Sequence, residues 1–136
     1  MPRPEAALLV LCAAASLASF DPGKDLVLGV EAGVLTLQIP AGAHLKRNTF
    51  KVALRAGPGK VEAGPLPPED ALDEAGDPIW RGAVRIPLRG EGLGNPVDLL
   101  VTLQPCTEGK DGVCYLPQRR ALRIPRAEIP GTDGKL

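Results

Sequence analysis

Apolar and polar side chains alternate in short runs along much of the chain, and most of these runs end near a glycine or a proline. In the clearest run of the first half, 50–55, Phe50, Val52 and Leu54 share one face, and the residues between them share the other. Such an alternation is typical of a strand with one face in the core and one in solvent. Sixteen glycines and fifteen prolines favour many short strands over long helices.

Other runs of this kind predict further strands, and no segment has a convincing helical period. The runs are 26–30, 35–39, 50–55, 84–89, 97–104 and 119–124. Between 61 and 78 the chain is rich in proline and acidic residues, which predicts a loop, and Trp80 begins the next element. Counting six to eight short strands, we predict an all-β fold, an antiparallel β-sandwich. Trp80 and Phe50 are predicted to be its large core residues.

Two cysteines stand between the last two runs. Cys106 follows the run 97–104, and Cys114 stands before the run 119–124, with seven residues between the two cysteines. The linker between them is polar and contains Gly109 and Gly112, which favour a turn. We therefore predict that the two cysteines lie at facing ends of neighbouring strands, where the Cα separation of a disulfide is within reach.

The cysteine spacing alone leaves two functions open. A structural disulfide that closes a nine-residue loop would stabilise the fold by about 2.5 kcal/mol. A pair in an exposed, glycine-rich turn is equally suited to thiol–disulfide exchange, which needs an accessible sulfur. No metal site or cofactor is predicted, because two thiols and a distant His44 fall short of the four ligands of a structural zinc. Copper carriage is not predicted, because Met1 is the sole methionine.

The cysteine segments resemble a known family. Val-Thr-Leu-Gln-Pro-Cys at 101–106 and Gly-Val-Cys-Tyr-Leu-Pro at 112–117 are similar to the redox hairpin of the periplasmic N-terminal domain of the thiol:disulfide interchange protein DsbD. The likeness extends upstream to 35–39, 42–47 and 79–81. It covers most of the chain from about 26 to 124, with the cysteine hairpin as its specific motif. The resemblance implies an immunoglobulin-like β-sandwich, in agreement with the strand pattern.

The resemblance also implies a function and its partners. A reduced Cys106/Cys114 pair would pass electrons to oxidised periplasmic client proteins, and a thioredoxin-like donor would reduce the pair again. Cys114 would form the mixed disulfide and Cys106 would resolve it. Nearby cations, Lys110, Arg119 and Arg120, could favour the reactive thiolate. The alternative from another class is a non-catalytic envelope binding domain with a structural disulfide.

Four further residues are candidates for tuning the disulfide or contacting a partner. Asp73 and Glu74 either belong to a solvated acidic loop or lie over the disulfide, as the resemblance suggests. Ala75 follows them where the best-known family member has an aromatic cap, so a cap is not predicted. The resemblance places His44 near the disulfide, whereas the alternative is a lone surface histidine. Tyr115 would offer a partner an aromatic surface.

Residues 1–18 are predicted to be a signal peptide, which leaves 19–136 as one domain. Arg3 supplies the positive charge, 6–15 the apolar segment, and Ser16-Leu17-Ala18 a small-x-small cleavage site. Lipidation at Cys12 is less favoured, because Leu11 before it is large. Export to the periplasm would make a disulfide the resting state of the remaining cysteine pair.

Charge and hydropathy exclude two further classes. Sixteen basic residues balance sixteen acidic ones, and aromatic residues make up 3% of the chain. Nucleic-acid binding, which needs a basic surface, is therefore not predicted. After residue 18 no apolar stretch reaches the length of about 20 residues that spans a membrane. If the chain ends at Leu136, it would work as a detached domain or with a separately encoded membrane reductant.

Overall fold

Eleven short strands and one short helix make up the regular structure of residues 20–131, the part of the chain that this computed structural model describes. The strands are β1 (Val27–Glu31), β2 (Val34–Gln38), β3 (Ala43–Lys46), β4 (Lys51–Ala56), β5 (Lys60–Ala63), β6 (Ala71–Leu72), β7 (Pro78–Trp80), β8 (Ala83–Glu91), β9 (Val97–Leu103), β10 (Pro105–Thr107) and β11 (Gln118–Ile124). The helix α1 is the single turn Pro22–Asp25, and 3-10 turns occupy Arg47–Thr49 and Arg126–Glu128. The predicted signal peptide and Cys12 lie outside the described residues.

The strands form three antiparallel sheets. Their orders are β1-β2-β8-β5, β10-β3-β7-β6 and β11-β9-β4. Their apolar faces meet in one core that draws on every sheet. The predicted all-β sandwich is therefore confirmed. Among residues 20–131, no helix is long and apolar enough to cross a membrane.

The two longest central strands show why this sequence forms a sandwich. Along β8 every second residue is buried, beginning at Val84, and along β9 burial alternates from Val97 to Leu103. Successive side chains of a strand point to opposite faces, so this spacing places the buried apolar residues of each strand on one side. Burial of each such side chain contributes about 1.5–3 kcal/mol.

Trp80 and Phe50 are core residues, as predicted. Trp80 is 1% exposed, and its ring meets that of Phe50 edge to face, with centroids 5.5 Å apart and planes at 71°. Edge-to-face pairs of this kind are preferred over parallel stacks. The indole nitrogen donates a hydrogen bond to the carbonyl oxygen of Pro67 at 3.1 Å, so its polar group is satisfied inside the core.

The segment 61–78 is more ordered than a loop, and here the prediction was wrong. It contains most of β5, all of β6 and the start of β7, and Trp80 ends β7 instead of beginning an element. β6 has two residues and β7 has three, so neither is long enough to show an alternating pattern. The alternation pattern also missed β3, which lies within the segment 42–47 that the resemblance included. These short strands raise the count to eleven among residues 20–131.

Candidate functional site

The cysteines form a disulfide across two adjacent chain segments. Cys106 lies in β10 and Cys114 stands directly opposite it in an isolated antiparallel bridge, with their Cα atoms 4.0 Å apart. Backbone hydrogen bonds flank the pair on both sides: Thr107 N to Val113 O at 2.8 Å and Tyr115 N to Pro105 O at 3.0 Å. The backbone therefore holds the two cysteines in register.

The position of Cys106 differs from the prediction in one respect. β9 and β11 pair as expected, with Leu103 opposite Gln118, but neither strand carries a cysteine. At Gln104 the chain leaves β9, and β10 pairs with β3 of another sheet. The Gln104 carbonyl oxygen accepts a hydrogen bond from Lys46 N at 3.0 Å, and the Gln104 side chain donates to the Tyr115 carbonyl oxygen at 3.0 Å. This crossing moves the disulfide from the β9–β11 pair to the edge of the β3 sheet.

His44 lies beside the disulfide. In the antiparallel register of β3 and β10, His44 is the direct partner of Cys106, and cross-strand partners share a face of the sheet. A ring nitrogen of His44 and the sulfur atoms of Cys106 and Cys114 all lie within 4.8 Å of one another. His44 is only 8% exposed, so the alternative of a lone surface histidine is wrong.

A chain of hydrogen bonds fixes the imidazole ring. His44 Nδ1 is 2.9 Å from Glu108 Oε2, and the same oxygen accepts a hydrogen bond from Nε of Arg81. Burial raises the pKa of the Glu108 carboxyl, but the hydrogen bonds from Arg81 and His44 outweigh it and leave this pKa below its usual value. Because Glu108 is ionised and can only accept, Nδ1 of His44 carries the proton in this contact.

The two cysteines differ sharply in exposure. Cys106 is 1% exposed, whereas Cys114 is exposed at the edge of the sheet. The difference in setting that the sequence predicted is therefore confirmed. The connecting loop packs closely against β10 only because residue 112 is a glycine, since a Cβ atom there would collide with the Thr107 carbonyl oxygen.

An open cleft of about 490 Å³ lies next to the disulfide. Both cysteines and His44 line it, and residues 72–75, at the end of β6 and in the turn that follows, also contribute. Asp73 and Glu74 thus lie at the same cleft as the cysteines. Whether either residue tunes the thiols stays a prediction.

Asp73 stabilises this turn through its side chain. Its carboxylate accepts hydrogen bonds from the backbone N–H groups of Ala75 and Asp77, both at 2.9 Å, and from Lys46 Nζ at 2.8 Å. The Lys46 hydrogen bond, followed by that of the Asp77 N–H, lowers the pKa of Asp73 to about 2. The hydrogen bonds with Asp73 and Asp77 raise the pKa of Lys46 in return. The turn is therefore held by a carboxylate that stays ionised at neutral pH.

Tyr115 and the predicted cations do not line the cleft. The Tyr115 ring packs edge to face on Phe20, with centroids 6.1 Å apart. Arg120 donates a hydrogen bond to the Leu26 carbonyl oxygen at 3.0 Å. Lys110 and Arg119 are exposed and are also absent from the cleft.

Sequence reasoning missed three charged residues of the site: Lys46, Arg81 and Glu108. Glu108 carried a usable signal, because residues two apart on an extended chain point to the same side, and it follows Cys106 by two positions. The same spacing relates Lys46 to His44. Arg81 could not be found in this way, because it belongs to a distant part of the chain.

No protein-family model matches the chain, and no curated protein matches it. Among solved structures, the chain is similar to the DsbD N-terminal domain of Neisseria meningitidis in its reduced form, with a TM-score of 0.58 and 18% identity. The match covers 79% of this chain and 90% of that one.

The fold is therefore that of the DsbD N-terminal domain, as the resemblance implied. At 18% identity, this likeness concerns the fold. The predicted immunoglobulin-like antiparallel β-sandwich is confirmed by the same match together with the antiparallel sheets. On this fold, the disulfide lies at the edge of the β3 sheet. A disulfide can exchange two electrons with a dithiol without any cofactor.

Proposed function

We propose that this chain is a thiol–disulfide exchange domain that works through Cys106 and Cys114. The observation that carries the proposal is the asymmetry of the disulfide, which has one buried and one exposed cysteine beside an open cleft. Exchange requires an incoming thiolate to reach one sulfur while the other sulfur departs. A disulfide that served only as a staple would gain nothing from an exposed sulfur.

In the proposed relay, Cys114 is the sulfur that meets the partner. The Cys114 thiolate attacks an oxidised client's disulfide and forms a mixed disulfide, and one client sulfur leaves as a thiolate. The Cys106 thiolate then attacks the Cys114 sulfur, and the second client sulfur leaves. The client gains two electrons, and the domain is left with the Cys106–Cys114 disulfide.

The domain is reduced again by the reverse sequence. A thiolate of a thioredoxin-like donor attacks the exposed Cys114 sulfur, and Cys106 departs as a thiolate. The donor's second thiolate then completes its own disulfide and releases Cys114. Two electrons pass from the donor dithiol to this chain, so the cycle needs no other oxidant or reductant.

The cations of the cleft give the thiolates little electrostatic help. Lys46 is paired with Asp73 and Asp77 at 2.8 and 2.9 Å, and Arg81 is paired with Glu108. Since thiolates form readily where a cation is free to stabilise them, this pairing opposes strong activation of either cysteine. We therefore expect exchange to depend on how a partner fits the cleft more than on an unusually acidic thiol.

Two exposed apolar residues suit the cleft to a protein partner. Leu72 is 60% exposed on the β6–β7 side, and Val113 is 55% exposed next to Cys114. Both line the cleft that contains the disulfide. A partner that buried these side chains would gain apolar contacts while bringing its own sulfur to Cys114.

The proposed location is the periplasm, after removal of residues 1–18. A disulfide persists in an oxidising compartment outside the cytoplasm, which agrees with an oxidised resting state. The mass of the purified native protein tests this point. We expect a chain that begins near Ser19 without a lipid, and a diacylated Cys12 would contradict it.

Trapping of mixed disulfides tests the proposed function. The reduced Cys106→Ala variant is mixed with an oxidised protein disulfide substrate and analysed on a non-reducing gel. We expect it to accumulate a covalent complex, because no second thiol can resolve the bond. The matched Cys114→Ala variant should form none. A complex that forms only with Cys114→Ala would reverse the roles, and the absence of a complex from both variants would overturn the proposal in favour of a structural disulfide.

A further inference from the structure

We propose that the reduced site binds one Zn²⁺ ion through the thiolates of Cys106 and Cys114 and the imidazole of His44, with the fourth position open. This inference rests on the proposed function only in requiring that the disulfide can be reduced. The sequence predicts no metal site, because two thiols and a distant His44 fall short of the four ligands of a structural zinc. The pairing of β3 with β10 brings His44 beside the cysteines, and a site with an open position needs only three ligands from the protein.

The side chains of His44, Cys106 and Cys114 belong to cross-strand neighbours. His44 is the register partner of Cys106, and Cys106 is the bridge partner of Cys114. Their ligand atoms lie within 4.8 Å of one another. Reduction by a dithiol adds two electrons and two protons and frees the sulfurs, which can then move to the separation of about 3.8 Å set by two Zn–S bonds of about 2.3 Å at a tetrahedral angle.

The environment of His44 is that of a metal-ligating histidine. Such histidines almost always donate their other ring N–H to a carboxylate or a carbonyl, which fixes the tautomer and the ring orientation. Nδ1 of His44 makes this contact with Glu108 Oε2 at 2.9 Å, and Arg81 holds the same carboxylate in turn. With the proton on Nδ1, a neutral ring keeps the lone pair of Nε2 for a ligand.

Nε2 of His44 provides an independent observation. It is buried and has no hydrogen-bond partner within residues 20–131. A buried polar atom without a partner usually costs about 1–3 kcal/mol, so such atoms are rare without a reason. Coordination of a metal by Nε2 would satisfy this atom.

Charge and coordination number favour Zn²⁺ as the ion. Two thiolates neutralise a divalent cation, which suits a site where Cys106 and His44 are buried, whereas a monovalent ion would leave a net negative charge. Zinc accepts both thiolate and imidazole ligands. Two cysteines and a histidine beside an open cleft leave the fourth position to water, as in zinc sites with three protein ligands.

Zinc binding would hold both sulfurs that exchange requires. Each thiol releases a proton to solvent as it coordinates the ion, so the step conserves charge without any redox change. The oxidised protein has no free thiolate and cannot form the site. Zn²⁺ would therefore bind the reduced form selectively and block its attack on a client disulfide.

Competition against a chromophoric zinc chelator tests the inference. The purified protein is reduced, freed of reductant under nitrogen and titrated with Zn²⁺. We expect one Zn²⁺ per reduced protein and none for the oxidised protein. His44→Ala should weaken the affinity at least 100-fold, and Glu108→Gln should weaken it about 10–100-fold because it loses the carboxylate that orients the ring. Asp111→Asn, an exposed acidic residue of the cysteine loop, is the matched control and should leave the affinity unchanged.

Folding and function are checked separately. Circular dichroism establishes whether each variant is folded. If His44→Ala fails to fold, Cys114→Ser serves as a second variant, because Cys114 is exposed. It should abolish the 1:1 binding of zinc. Equal zinc binding by the oxidised protein, or by the folded His44 and Cys114 variants, would overturn the inference. Mixed-disulfide formation is measured with the chelator present. Exchange without zinc binding would contradict only the proposed metal site. Zinc binding without exchange would contradict only the proposed function.

Discussion

The centre of the sandwich and its disulfide edge are built on different principles. In β8 and β9 long alternating runs bury every second side chain, and the result is a close-packed core. At the disulfide edge the strands are short, with three residues in β10 and two in β6. Ion pairs link the segments around them, Arg81 with Glu108 and Lys46 with Asp73. Cys106, in β10, is buried against this frame while Cys114 remains exposed. The core can therefore keep the fold stable while the edge changes its covalent state.

The largest expected effect on stability comes from a substitution in the core. Leu99→Ala in β9 removes a fully buried side chain and should reduce the free energy of unfolding by about 2–5 kcal/mol. Leu72→Ala, at the exposed rim of the cleft, should change it by less than about 0.5 kcal/mol. Chemical denaturation of both variants checks the difference. Similar losses would show that the edge carries as much of the stability as the core.

Reduction of the disulfide is expected to have a smaller effect. Opening a nine-residue loop should cost about 2.5 kcal/mol in the chain-entropy account, which leaves the sandwich core intact. We therefore expect the reduced protein to keep its β-type circular dichroism at room temperature. Loss of that signal on adding reductant would mean that the bond is a structural staple, as in the alternative function.

The difference in reactivity between the two cysteines is expected to be a smaller effect than that of opening the disulfide. In the reduced protein a limiting amount of alkylating agent should label Cys114 several-fold before Cys106, because only Cys114 is exposed. Peptide mass analysis after partial labelling measures the ratio. Faster labelling of Cys106 would reverse the assignment of the two roles.

The smallest effect concerns the turn that Asp73 holds. Its pKa is about 2 in the folded protein against an ordinary value of 3.8, so its ionised form stabilises the fold above about pH 4. That contribution is lost as the pH falls through 2. Asp73→Asn should therefore lower the denaturation midpoint at pH 7 and match the unmodified protein near pH 2. If the two denaturation midpoints still differed at pH 2, the charge of Asp73 would not be the cause of the difference.

The same contrast explains what the sequence could predict. The alternation at 84–89 and 97–103 depends on neighbouring residues and is visible in one chain, so the β-sandwich and its core followed from it. The short β6 and β7 are held by pairing with other strands, and their sequences show no period of their own. The two cysteines and their difference in exposure were predicted from the flanking residues.

The surroundings of the disulfide were harder to predict. His44 lies beside the cysteines only because β3 pairs with β10, a contact between distant parts of the chain that the resemblance alone suggested. Arg81 enters through the turn after β7 and had no sequence signal. The cations expected from their proximity in sequence, Lys110 and Arg119, instead lie outside the cleft. Proximity along the chain was a poor guide because the segment after β9 crosses to another sheet.

The reduction potential of the Cys106–Cys114 pair tests the central claim most directly. Equilibration of the protein with glutathione buffers, followed by trapping of free thiols with an alkylating agent, gives its value. A pair that exchanges electrons with partners should have a potential above about −300 mV. A value well below −300 mV would place the bond among structural disulfides and contradict the proposed exchange.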